Sequence, residues 1–270
     1  MKANLTLVGL AAVLLSLCVP MAGFAAACPA SGFNPLLVPD GTPVMETIPA
    51  SGGRIYIAQL TAGRSYSLQV TSPPENLSLS AYTLEISGTL LGGAATTTDT
   101  TTIDPRIVEI ELFGGAFKDH GGRRISILVS SSGGFDFTFC NTDSSNDHPL
   151  VVSLVETTLF NPLWSTFGVF ETFYRFQNST NASCNVTLRM VNDAGTQVAN
   201  PSFAIPANST APTRTTGPTD LNLANDQAGQ AIITHNCPPG AIQLDGFLGR
   251  FDLAAPVVLP IKIQTARQQQ

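Results

Sequence analysis

Beyond residue 27, no stretch of this chain has apolar side chains recurring at the three-to-four spacing of an amphipathic helix. Short runs of β-branched and aromatic residues alternate instead with clusters of Gly, Pro, Ser, Thr and Asn, the pattern of strands parted by turns. The run Ser65-Tyr-Ser-Leu-Gln-Val-Thr71 has strict period two, so alternate side chains share one buried face. An all-β fold is expected. Strands are predicted at 54–60, 65–71, 77–86, 106–112, 123–130 and 135–139. A second series is predicted at 150–156, 169–177, 184–191, 197–205, 230–235, 241–248 and 257–263. Thr61-Ala-Gly-Arg64, Gly92-Gly93 and Gly133-Gly134 supply turn material between them.

The polar stretch 141–149 contains no residue suited to a core and is expected to be a linker. With 270 residues the chain can form two modest domains. Two tandem β-sandwiches are expected: a jelly-roll-like one over 28–140 and an immunoglobulin-like one over 150–265, before a polar tail at 266–270.

The first 27 residues have the anatomy of a signal peptide. A positive start at Met1 and Lys2 leads into an apolar run from Leu5 to Val19, then Pro20 and a small-residue stretch ending at Ala27. The run is shorter than the roughly 20 residues needed to span a bilayer. Cleavage after Ala27 leaves Cys28, Cys140, Cys184 and Cys237, which in an exported chain point to disulfides. The expected pairs are Cys28–Cys140, joining the ends of the first domain, and Cys184–Cys237 within the second, with other pairings left open. Cys28 also stands where a bacterial lipoprotein would be acylated, but Ala25-Ala-Ala27 lacks the leucine such a site prefers. The mature protein is expected in the periplasm, at the cell surface or secreted.

Several runs between residues 41 and 140 carry a resemblance: Gly41-Thr-Pro-Val44, Arg54-Ile-Tyr-Ile57, Leu60-Thr-Ala-Gly-Arg-Ser-Tyr-Ser-Leu68, Leu77-Ser-Leu-Ser-Ala-Tyr82 and Ser132-Gly-Gly-Phe-Asp-Phe-Thr-Phe139. Together they resemble the bacterial pre-peptidase C-terminal (PPC) domain family. That resemblance implies a jelly-roll-like accessory module, related to modules that recognise collagen. The module is expected to follow the signal directly, with no peptidase before it. The second half, through Phe173-Tyr-Arg-Phe-Gln-Asn178, Phe203-Ala-Ile-Pro-Ala207 and Pro238-Pro-Gly-Ala-Ile-Gln243, is similar to β-domains of uncharacterised bacterial surface and secreted proteins, which implies a fold and a location only.

Acidic residues outnumber basic ones 19 to 13, and only 12% of residues are charged. An acidic surface without a basic stripe argues against nucleic-acid binding. The aromatic concentration from Phe160 to Phe176 is expected to be core, with Phe170, Tyr174 and Phe176 on one buried strand face. Trp164, in a Pro-flanked loop, is the expected exception and the candidate ligand contact. Asp143, Asp147, Asn141 and Asn146 could offer oxygens to calcium. The segment lacks the ligand spacing of a calcium loop, and solvated linker is the preferred reading, as it is for Asp99 and Asp104. His120, His148 and His235 form no zinc motif, and no Gly-x-Ser-x-Gly elbow exists. Catalytic, cofactor and metal residues are accordingly assigned to none. The expected function is non-catalytic, structural or adhesive. The alternatives are a carbohydrate- or matrix-protein-binding module and a secreted hydrolase with a dispersed active site.

Overall fold

The alternating runs do form strands. The computed structural model describes residues 35–71, 82–86, 89–91, 107–113, 123–141, 143–250 and 257–265, and no helix occurs among them. The signal segment, Cys28, Asp99, Asp104 and His120 lie outside the described residues, as does the side chain of Cys140.

Among the described residues, nine strands precede residue 157: β1 (Val44–Ile48), β2 (Gly53–Leu60), β3 (Ser65–Thr71), β4 (Tyr82–Ile86), β5 (Thr89–Leu91), β6 (Ile107–Phe113), β7 (Arg123–Val129), β8 (Gly133–Asn141) and β9 (His148–Glu156). They form two antiparallel sheets, ordered β1-β9-β3-β7-β6 and β2-β8-β4-β5. Period-two alternation points Leu68 and Val70 from β3, Ile125 and Ile127 from β7, and Leu150, Val152 and Leu154 from β9 into one core. Tyr56, Ala58, Phe135, Phe137 and Phe139 of the other sheet fill the opposite side. Tyr56 meets Phe139 edge to face, with ring centroids 5.6 Å apart. Each fully buried large side chain contributes about 1.5–3 kcal/mol.

This arrangement corrects the expected linker. Strand β9 pairs with β3 from Tyr66↔Glu156 to Thr71↔Val151 and with β1 from Val44↔Val152 to Ile48↔His148, so it belongs to the first pair of sheets. The polar stretch is the loop of a β8–β9 connection. Its organiser is Asn141, which is 2% exposed. The Asn141 Nδ2 donates to the carbonyls of Ile48, Pro49 and Asn146, and Oδ1 accepts from the Asp143 amide. A polar composition that looks solvated is a tightly bonded loop. The chain passes to the second pair of sheets through Thr157 and Thr158 only.

The second series comprises β10 (Leu159–Ser165), β11 (Phe170–Asn178), β12 (Cys184–Asn192), β13 (Gln197–Ala199), β14 (Ser202–Ile205), β15 (Thr210–Arg214), β16 (Ala228–His235), β17 (Ile242–Arg250), β18 (Val257–Ile261) and β19 (Gln264–Thr265). One sheet runs β13-β12-β16-β10-β19, with β14 also on β12, and the other runs β15-β11-β17-β18. Their facing sides share a second core that includes Trp164, Tyr174, Phe176, Val186, Leu188, Met190, Ile233 and Leu244. Proline disguises two of these strands. Pro212 lies in β15 at a sheet edge, where a missing N–H costs no ladder bond. Pro162 lies in a bulge of β10, where the register against β16 shifts between Asn161↔Ala231 and Trp164↔Gly229.

That bulge has a decisive effect. Asn161 and Trp164 are three residues apart and would face opposite sides of a regular strand. The extra residue reverses the parity, and both are fully buried. Trp164 is therefore core, contrary to its expected place on an exposed loop. Its indole Nε1 donates to the carbonyls of Val191 and Gln230 at 3.2 and 3.0 Å. Gly229, opposite the Trp, leaves the room this needs: a Cβ there would overlap the Val191 carbonyl oxygen. Tyr174 and Phe176 are buried as expected, while Phe170 is only half-buried.

Candidate binding cleft between the two cores

The two pairs of sheets meet through a polar junction centred on Ser65, the first residue of β3. Its amide donates to Thr158 Oγ1 at 3.0 Å, and its carbonyl accepts the Thr157 amide at 2.9 Å. The Thr157 hydroxyl donates to Ser65 Oγ at 2.9 Å, and the His235 amide approaches the same oxygen at 3.4 Å. Beside it, Arg64 reaches across to Glu156, with Nη1 3.0 Å from Oε1, while its guanidinium carbon lies 5.0 Å above the Phe160 ring. Burial raises the Glu156 carboxyl above its usual range even though Arg64 opposes it.

His235 ends β16 inside this junction and is 5% exposed. Burial, reinforced by the neighbouring Arg124 cation, lowers its imidazole to about 4. Arg124 donates to the Asn236 carbonyl at 2.7 Å, and Asn236 Oδ1 accepts the Asn185 amide at 2.8 Å. One residue further on, Cys237 is disulfide-bonded to Cys184, the first residue of β12, with Cα atoms 5.5 Å apart. The expected second-half pairing is thus present, and it ties β12 to the segment that follows β16 beside the junction.

A cleft of about 300 Å³ opens next to these groups. Its floor is the outward face of β12 and β16, where Thr187 lies opposite Thr234 and Arg189 opposite Ile232. Its roof comes from the first pair of sheets: Ala62 and Gly63 of the β2–β3 turn, and residues 128–130 at the end of β7. Gly63 has φ +68°, and its amide donates to the Val129 carbonyl. A Cβ on Gly63 would stand 3.0 Å from Arg189 Nη2, so glycine serves both the turn and the close approach. The turn was legible in the sequence as Thr61-Ala-Gly-Arg64; its seat above a second sheet was not.

Arg54, Arg64 and Arg214 pair with Glu46, Glu156 and Asp220, and Arg124 is held by the Asn236 carbonyl. Among the described residues Arg189 has no hydrogen-bond or ion-pair partner, and it lines the cleft with Thr187, Thr234, Asn200, Leu128 and Ile232.

The remaining candidates among the described residues have partners within the fold. His148 Nε2 lies 2.9 Å from Asp143 Oδ2. Asn146, then the Ser145 amide and His148, hold the Asp143 carboxyl down at about 2. Asp147 Oδ1 caps the Ala50 amide. Both Asp143 oxygens, Asn141 Oδ1 and Asp147 Oδ1 thus accept hydrogen bonds within the loop and its neighbours, and no group of three or more His, Cys, Asp or Glu suited to a metal occurs among the described residues. Asn178, in the sequon Asn178-Ser-Thr180, is fully buried, and its Nδ2 donates to the carbonyls of Ala182, Ile205 and Pro206. No helix among the described residues is long and apolar enough to cross a membrane. A scan against protein-family models finds no match, and a search of curated proteins finds none.

Proposed function

We propose that this is an exported, non-catalytic β-sandwich protein that acts through its surfaces, structurally or in adhesion, with a PPC-like first module. The observation that carries this reading is the internal use of the chemistry-capable side chains at the described junction. Ser65 Oγ is bonded by Thr157 and approached by the His235 amide, so it is not held as a nucleophile by an imidazole. The His235 ring is buried beside a cation rather than poised against a carboxylate. The disulfide in the second core is of the kind that persists in oxidising compartments, which supports export.

Two measurements test this. Fractionation of native cells with mass spectrometry of the mature N-terminus should find the protein outside the cytoplasm and beginning at Cys28. Purified protein presented to a panel of ester, peptide and glycoside substrates should release no product, while arrays of glycans and matrix proteins should retain it. Turnover abolished by His235→Gln would overturn the non-catalytic reading.

A further inference from the structure

We propose that the cleft between the two cores binds an acidic sugar, a uronate-type ring whose carboxylate pairs with Arg189. The inference rests on the binding version of the function above and adds the site and the ligand class. The cleft, at about 300 Å³, falls at the lower end of the range for small-ligand sites, which suits one ring better than an extended chain. Arg189, the one cation in its lining among the described residues, has no partner among them, in a chain of net charge −6 where Arg54, Arg64 and Arg214 already hold carboxylates. A planar guanidinium recognises a carboxylate by two parallel hydrogen bonds, whereas a phosphate dianion would call for more cationic donors than this lining holds.

The rest of the lining fits a hydroxylated ring. Thr187, Thr234 and Asn200 provide hydrogen-bonding groups, and Leu128 and Ile232 provide apolar surface for a C–H face. An acidic peptide is the weaker match. Peptides that bind sheets usually add a strand to an open edge. Here β12 pairs with β14 and β16, and β16 pairs with β12 and β10, so the floor offers a face and no edge.

The test is calorimetric titration of the mature chain with trigalacturonate, with galactotriose as the neutral control. The expected result is saturable binding of the acidic sugar with a Kd of about 1 mM or tighter, and none of the neutral one. Arg189→Gln should weaken it at least about tenfold, as loss of a charged hydrogen-bond pair does. Ala62→Leu, which narrows the cleft from the roof and leaves Arg189 in place, should weaken it as well, so misfolding of one variant does not decide the outcome. Absence of acidic-sugar binding, equal binding of galactotriose, or binding unaffected by both variants would overturn the site. Retention of the protein on other glycans or matrix proteins, unaltered in both variants, would overturn the site while leaving the adhesive function standing. Shortening of trigalacturonate that Arg189→Gln abolishes would keep the site and remove the non-catalytic reading.

Discussion

Acidification should loosen the junction through His235. The imidazole is buried and held neutral, its protonation displaced from 6.5 in an exposed histidine to about 4. Below pH 6.5 the unfolded chain takes up a proton at this residue that the folded chain refuses, so the unfolded state is favoured increasingly until about pH 4. The displacement corresponds to roughly 3 kcal/mol, a large part of the 5–15 kcal/mol typical of a folded domain. Glu156 works in the opposite sense: its raised carboxyl gives stability that is present at low pH and lost as pH rises. Asp143 enters only as pH falls toward and below 3.8, where the unfolded chain's carboxyl takes up a proton that the folded one, held down at about 2, refuses. Urea unfolding between pH 8 and 4.5 therefore isolates the histidine when wild type is compared with His235→Gln, which cannot titrate. Wild type should lose about 2–3 kcal/mol more than the variant over that range. Parallel pH profiles, or an NMR titration placing the His235 imidazole near 6.5, would refute the reasoning.

Other outcomes follow from the same structure. Replacing Cys184 and Cys237 by Ala opens a cross-link spanning 53 residues and should lower stability by about 4 kcal/mol in the chain-entropy picture, read by denaturant midpoint. Trp164→Ala should cost about 3–5 kcal/mol. In the wild type, the emission of this single tryptophan should be blue-shifted and indifferent to added glycans, whereas a glycan-dependent shift would return it to the surface. Asn178→Ala strips the donor from three carbonyls and should cost about 3 kcal/mol, while a change under 0.5 kcal/mol would mean that water replaces it.

How far the fold was legible depends on what each signal measures. Period-two alternation located β3 residue for residue and β11, β12 and β17 to within two residues, because apolar side chains are confined to the face of each strand that joins a core. The cysteines of the second half were readable because both fall beside strands of one sandwich. Trp164 was not readable: its inward direction depends on a bulge that reverses parity, and parity is a property of the pairing, not of the strand. The boundary was misplaced for a similar reason. Asn141 binds its loop through carbonyls of Ile48 and Pro49, over 90 residues away in sequence, so composition shows only polarity. The cleft is less legible still. Gly63 and Arg189 sit in different sheets, and nothing local to either indicates the other.

The most direct test of a fixed junction is native-state hydrogen exchange at the amides of Ser65, Thr157 and His235. All three are bonded across or along the contact between the cores. They should exchange only with global unfolding, as slowly as the core amides of Leu68 and Ile233. Fast exchange at these three while both cores stay protected would mean two sandwiches joined by a loose tether, with no lasting cleft between them.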